Sequence, residues 1–212
     1  MKKTIITLSA IAVLFAACNQ AEQKHDEKGH SLMKQGYSNT ENVMMQAMDT
    51  SMMAMHEIKP TGNADYDFAS MMIPHHEGAI GMAETFLKQS NSATLISFAK
   101  EVIIAQKKEI KMLNEFLITA NKEPIKDAEK FKKAMDNSMM SMMDGSDSYR
   151  MGKIKLTNNI DKDFVMLMIP HHQSAVDMAK AYLPYSGNAQ LKSIAEQILK
   201  AQEEEIKWLE KQ

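Results

Sequence analysis

The sequence predicts an all-α protein made of helical bundles, built from a duplicated three-helix unit. Three observations predict it. Residues 65–116 align without a gap onto 161–212, with close to half of the pairs identical. Apolar residues recur at three- and four-residue steps through each copy, and no stretch sustains two-residue alternation. Gly62, Gly145, Gly152 and Gly187 fall between the predicted elements, where turns belong.

Taken in order, residues 1–17 form an export signal. Lys2 and Lys3 precede a mostly apolar run, and Ala16 and Ala17 come just before Cys18. The run is too short to span a bilayer. A cysteine at the cleavage point resembles a lipoprotein signal, in which the thiol becomes lipidated (palmitate being one such acyl group), although Phe15 stands where an aliphatic residue is more usual. Cys18 is therefore the expected lipidation site and membrane anchor. Residues 18–40, almost wholly polar from Lys24 to Gly29, read as a flexible tether.

The first repeat spans 41–118. It opens with a Met-rich helix over 41–58, on which Met44, Met45, Met48, Met52 and Met55 share a face. Asp65 or Asp67 is expected to cap the next helix, which carries Phe68, Met71, Met72, His75, Ala79, Met82 and Phe86. Asn91 or Ser92 starts a third, with Leu95, Phe98, Ala99, Val102, Gln106, Ile110 and Leu113 on its stripe. The Lys-rich stretch 119–133, containing Pro124, reads as the connection. The second repeat, 134–212, repeats the plan: Ala47–Met55 is answered by Ala134–Met142, and Met72-Ile73-Pro74-His75-His76 by Met168-Ile169-Pro170-His171-His172. Pro74 and Pro170 lie too late for a first helical turn, so a kink is expected at each.

The composition narrows the chemistry. The chain has 21 methionines, one tryptophan and one cysteine, and a formal net charge of −2. The mild acidity gives no reason to expect nucleic acid. With Cys18 lipidated, no thiolate remains to bind a metal or form a disulfide. A single methionine on a helical stripe is ordinarily core filler. Runs such as Met52-Met53-Ala54-Met55 and Met139-Met140-Ser141-Met142-Met143 are different, because adjacent residues on a helix cannot all face one core.

His75 and His76 lie one turn above Met71 and Met72, and Met82 follows two turns beyond His75. The second copy keeps Met168, His171, His172 and Met178 but has Leu167 in place of Met71. Imidazole beside thioether makes a soft nitrogen–sulfur donor set, suited to copper(I), with silver(I) as a surrogate. Zinc prefers thiolate, imidazole and carboxylate, and iron in a four-helix bundle needs carboxylates, so both fit less well. The expected metal ligands are His75, His76, Met72, Met82, His171, His172, Met168 and Met178. Met71, His56, Met48, Met52, Met55, Met135, Met139 and Met142 are additional candidates, and His25 and His30 weaker ones. Gln106, Glu109, Gln202 and Glu205 have two readings: partners that hold a histidine ring in its ligating tautomer, or polar contacts at a bundle edge.

These residues resemble the domain of unknown function 305 family. Its pattern of Asp-x-x-Phe, Met-Met-Ile-Pro-His-His, Ala, Met-Ala and a later Gln-x-x-Glu-Ile is met by Asp65, Phe68, Met71 to His76, Ala79, Met82-Ala83 and Gln106 to Ile110. It recurs as Asp161, Phe164, Met168 to His172, Ala175, Met178-Ala179 and Gln202 to Ile206, with Leu167 the departure. The resemblance implies a ferritin-like bundle and, as for some members, copper binding and resistance in the periplasm. The expected function is thus an exported, envelope-anchored copper(I)-binding lipoprotein that buffers the metal, confers resistance or hands it to a partner protein, without turnover. Two alternatives stay open: a metal-dependent oxidoreductase in a ferritin-like bundle, and a metal-free helical interaction module with an adaptable Met-lined groove.

Overall fold

The structure, a computed structural model, describes residues 43–143 and 154–212. The stretch expected to be an export signal, Cys18, the expected tether with His25 and His30, and Gly145 and Gly152 lie outside the described residues. Within them the chain forms six α-helices: α1 (Val43–Glu57), α2 (Ala64–Leu87), α3 (Ala93–Leu117), α4 (Ala128–Met143), α5 (Ile160–Tyr182) and α6 (Ala189–Leu209). A single 3-10 turn, Leu183–Tyr185, follows α5. No described helix is long and apolar enough to cross a membrane.

The start of α2 differs from expectation, while α3 starts at Ser92, one of the two residues expected. Asn63, not Asp65 or Asp67, caps α2, its side-chain oxygen accepting from the Tyr66 backbone N–H at 3.1 Å. Asn159 caps α5 in the same way. The aspartates are engaged elsewhere. Asp67 folds back to accept from the backbone N–H of Thr61 and of Gly62, and from the Thr61 hydroxyl. Asp163 does the same to Thr157. This turn needs one residue in the left-handed region: Gly62 supplies it at φ +83° in the first copy and Asn158 at φ 60° in the second. The repeat therefore extends upstream of residue 65. Ser92 caps α3 and Asn188 caps α6. Part of the 119–133 stretch is helical, α4 beginning at Ala128. Asn63 Nδ2 donates to the Glu123 carbonyl, and the Ile125 N–H to that of Gly62, tying the connection to the start of α2.

Each copy is a three-helix cluster with its His-His helix in the middle: α2 lies between α1 and α3, and α5 between α4 and α6. The two clusters meet through α2 and α5. Ring stacking fixes that contact as antiparallel. Phe68, near the start of α2, stacks on Tyr182 at the end of α5 with centroids 4.2 Å apart; Phe86, at the end of α2, stacks on Phe164 near the start of α5 at 4.1 Å. Phe68 and Phe164 are repeat mates, as are Phe86 and Tyr182, so a pseudo-two-fold axis crosses the seam midway between the stacks. Each stacked pair contributes about 0.5–1.5 kcal/mol beyond its buried area. Polar links brace both ends. Asp65 accepts from the Tyr182 hydroxyl at 2.6 Å and the Gly187 N–H at 3.0 Å, and Ser90 donates to Asp161 at 2.5 Å. Both helices continue as α-helix through Pro74 and Pro170.

Candidate metal centre

A helix enclosed on several sides can bury adjacent residues, which a surface helix cannot. That is the position of α2 and α5, and it explains why His75, His76, His171 and His172 are all buried. Midway along the seam, where the pseudo-two-fold axis passes, the His75 and His171 rings lie 4.0 Å apart, tilted by 40°. The His76 ring is 6.1 Å from that of His75, and the His172 ring 6.3 Å from that of His171. The four imidazoles thus form one buried row, in the order His76, His75, His171, His172.

Carboxylates close both ends. His76 Nε2 lies 2.9 Å from Glu109 Oε2, and His172 Nε2 lies 2.9 Å from Glu205 Oε2. Neither contact is aligned as a hydrogen bond, so these are close polar approaches and not directed N–H···O bonds. Gln106 and Gln202, one turn before each glutamate, are buried with both amide atoms unpartnered. In the row, His75 Nε2 meets Ser174 Oγ at 3.2 Å, while Nδ1 of all four rings and Nε2 of His171 have no hydrogen-bond partner. Each buried unsatisfied group costs about 1–3 kcal/mol. A cluster of them is therefore anomalous in a folded core unless something else takes up the lone pairs.

The row is neutral at its centre. Burial pushes the pKa of His75 and His171 well below the usual histidine value, and the neighbouring imidazoles push in the same direction. Each ring's approach to the backbone of the other opposes this weakly. A neutral imidazole carries a free lone pair, the form a metal requires.

Met72, Met82, Met168 and Met178 are fully enclosed on the same two helices. Met71 is buried, and so is Leu167 at its mate position. On α1, Met44, Met48, Met52 and Met55 are buried, whereas Met53 is 60% exposed. On α4, Met135 is buried and Met139 half-buried; Met142 falls within α4, but its side chain is outside the described set. His56, at the end of α1, is exposed and does not join the row. No group of three or more His, Cys, Asp or Glu side chains converges in a metal-holding arrangement among the described residues. A multidentate site on this row therefore needs thioether, amide or hydroxyl donors as well.

Three residues at the row escaped the sequence reading. Ser174 was hidden because its repeat mate is Gly78, so identity between copies did not mark it. The available signal was a polar residue three positions after His171 on a buried face. Gly78 itself matters through what it omits: a Cβ there would lie 2.4 Å from Ser51 Oγ and 3.1 Å from His171 Nε2. Ser51 therefore brings α1 to within reach of the row.

The sequence profile described as "Domain of unknown function (DUF305)" matches residues 9–117 and again 65–212. The chain belongs to this family. Two overlapping DUF305 matches accord with the duplicated helical unit. Among solved structures, the chain is similar to CopM in its Cu(II)-bound form, at 30% identity over 69% of this chain and 93% of CopM, with a TM-score of 0.52. It is similar to CopM in an Ag-bound form at 28% identity, over 69% and 92% of the two chains, again with a TM-score of 0.52. A DUF305 fragment from Deinococcus radiodurans shares the fold at 22% identity over 72% and 96%, with a TM-score of 0.50. No curated protein matches the chain.

Proposed function

We propose that this DUF305 protein is an extracytoplasmic, lipid-anchored copper(I)-binding protein of ferritin-like architecture that buffers the metal, confers resistance or hands it to a partner. Cys18 carries the lipid. The ligands come from His75, His76, His171 and His172 with Met72, Met82, Met168 and Met178, and the Met-rich helices α1 and α4 supply exchangeable sites. Glu109 and Glu205 approach the outer rings and would turn to accept from them once a metal fixes the tautomer, and Gln106 and Gln202 lie on the same inward faces.

The observation that carries this reading is the buried row of imidazoles in which every ring nitrogen except His75 Nε2 lacks a hydrogen-bond partner. The buried thioethers of Met72, Met82, Met168 and Met178 lie on the same two helices, and among the described residues there is no cysteine and no cluster of three or more His, Cys, Asp or Glu side chains placed to hold a metal. Similarity to CopM, seen with bound silver and with copper(II), supports a copper- or silver-binding role. The test is anaerobic titration of the soluble domain with copper(I) against a copper(I) chelator, for the natural chain and for one with His75, His76, His171 and His172 all changed to Ala. Tight binding is expected only in the former. Equal retention by both would exclude histidine ligation, and no tight copper in either would end the proposal.

The approach of Glu109 to His76 and of Glu205 to His172 favours one second reading, a metal-dependent oxidoreductase. Iron in the protein as isolated, with oxidase activity lost in Glu109→Gln, would support it.

A further inference from the structure

Helices α1 and α4 are repeat mates, and they differ in how they treat one carboxylate. On α4, Lys132 and Asp136 stand one turn apart, both exposed, and form an ion pair at 2.8 Å. On α1 the aspartate is kept as Asp49, but the lysine position holds Met45. Asp49 is 5% exposed, and its Oδ1 has no hydrogen-bond partner. Burial pushes its pKa up to about 6 with no neighbouring cation to pull it back, so the carboxylate is mostly ionised at neutral pH. A buried charge left without its partner is strongly destabilising. The first copy has kept the acid, enclosed it and removed its counter-ion.

The helical neighbours of Asp49 indicate what takes the place of lysine. Met45 lies one turn before it and Met53 one turn after, on one ridge of α1. Met45 is half-buried and Met53 is 60% exposed, so the ridge leads from the interior to solvent. Thioethers suit a soft monovalent ion; calcium or magnesium would need several oxygen ligands instead. One monovalent ion beside one carboxylate is neutral, as the lysine pair is on α4.

Resting on the copper-binding reading above, we infer that α1 carries a copper(I) site of its own, separate from the histidine row, formed by the Asp49 carboxylate with the Met45 and Met53 thioethers. The carboxylate supplies the attraction and the two sulfurs the selectivity. Helix α4 has no counterpart, because Lys132 occupies the place of both the ion and one of its ligands. Through Met53 the ion can come and go without the bundle opening.

The experiment is NMR of the full chain, labelled at methionine methyl carbons, aspartate carboxyl carbons and histidine ring nitrogens, and titrated with silver(I). In the natural chain the Met45 and Met53 methyl signals and the Asp49 carboxyl signal are expected to move along one saturation curve, distinct from that of the ring nitrogens. Asp49→Asn keeps the size and removes the charge. It should weaken that curve about ten- to a hundredfold and leave the ring-nitrogen response in place. Met45→Lys copies the α4 pair and should abolish the Met53 response. If the Met45 and Met53 signals stay fixed while the ring nitrogens respond, or saturate equally in Asp49→Asn, the α1 site is overturned and the copper-binding reading stands. No response from any methionine or histidine would overturn both. The shared curve is read on the natural chain, so a variant that fails to fold does not remove the test.

Discussion

Gly78 sits in the interior of α2, where glycine costs roughly 1 kcal/mol against alanine in helix propensity. The close approach of α1 explains its presence: an added Cβ would fall 2.4 Å from Ser51 Oγ and 2.8 Å from Ser51 Cβ. Gly81 repeats the device one turn on, against Ala47 Cβ at 2.9 Å. Ser51 Oγ is itself committed to the Met48 carbonyl at 2.9 Å, so it cannot simply swing aside without losing that bond. Gly78→Ala is therefore expected to lower stability by about 1–3 kcal/mol, the range for overpacking, despite the gain in propensity. Urea denaturation measures it, and adding Ser51→Gly should recover part of the loss. A neutral or stabilising Gly78→Ala would mean that α1 can withdraw from α2 at no cost.

Between elements, the antiparallel contact of α2 and α5 rests on two stacked aromatic pairs and two polar links. Tyr182 belongs to both sets, stacking on Phe68 and donating to Asp65. Burial and the Asp65 carboxylate both push its phenol pKa upward, so the hydroxyl stays a donor throughout the neutral range. Tyr182→Phe preserves the stack and deletes one hydrogen bond to a carboxylate that keeps the Gly187 N–H. The expected cost is about 1–2 kcal/mol, seen as a lower urea midpoint with an unchanged slope. Within each copy the helices were legible in the sequence, because the Met stripe of α1 and the spacing of Phe68, Met72, His75, Ala79, Met82 and Phe86 follow the period of a helix. The caps were not. Asn63, Asp65 and Asp67 all satisfy the same capping preference, and the choice is made by Thr61 and Gly62 folding back onto Asp67 and by Asp65 reaching the other copy. The histidine row was half legible: the motif marked all four residues, but spacing within a chain carries no information about which copy a ring faces. Glu109 and Glu205 had two open readings until the packing of α3 on α2 and of α6 on α5 brought them to the outer rings.

At the scale of the whole molecule, the buried row links stability to pH. His75 and His171 have folded-state pKa values below the ordinary 6.5, so the unfolded chain takes up protons there first. Stability is full above pH 6.5 and falls as the pH drops below it, by about 1.4 kcal/mol per unit for each group. Asp49 works in the opposite sense. Burial pushes its pKa up from 3.8 to about 6, so the folded form gains a proton as the pH falls through 6 and recovers stability. For the metal-free protein, urea midpoints between pH 6.5 and 5 should decline, and the decline should be steeper in Asp49→Asn, where the opposing group is gone. A midpoint that holds constant or rises over that window in Asp49→Asn would contradict neutral burial of the two inner rings. The seam has a further consequence. A homodimer of one copy would have to carry the same residue on both sides of its axis, so that any change to one half would be imposed on the other. Joining the copies in one polypeptide lifts that constraint, and positions 78 and 174 have already diverged at the ring contact, as have 86 and 182 at its ends. A single substitution can then alter the packing around one inner ring and leave the other as it was, which lets the two faces of the ring contact be tuned separately.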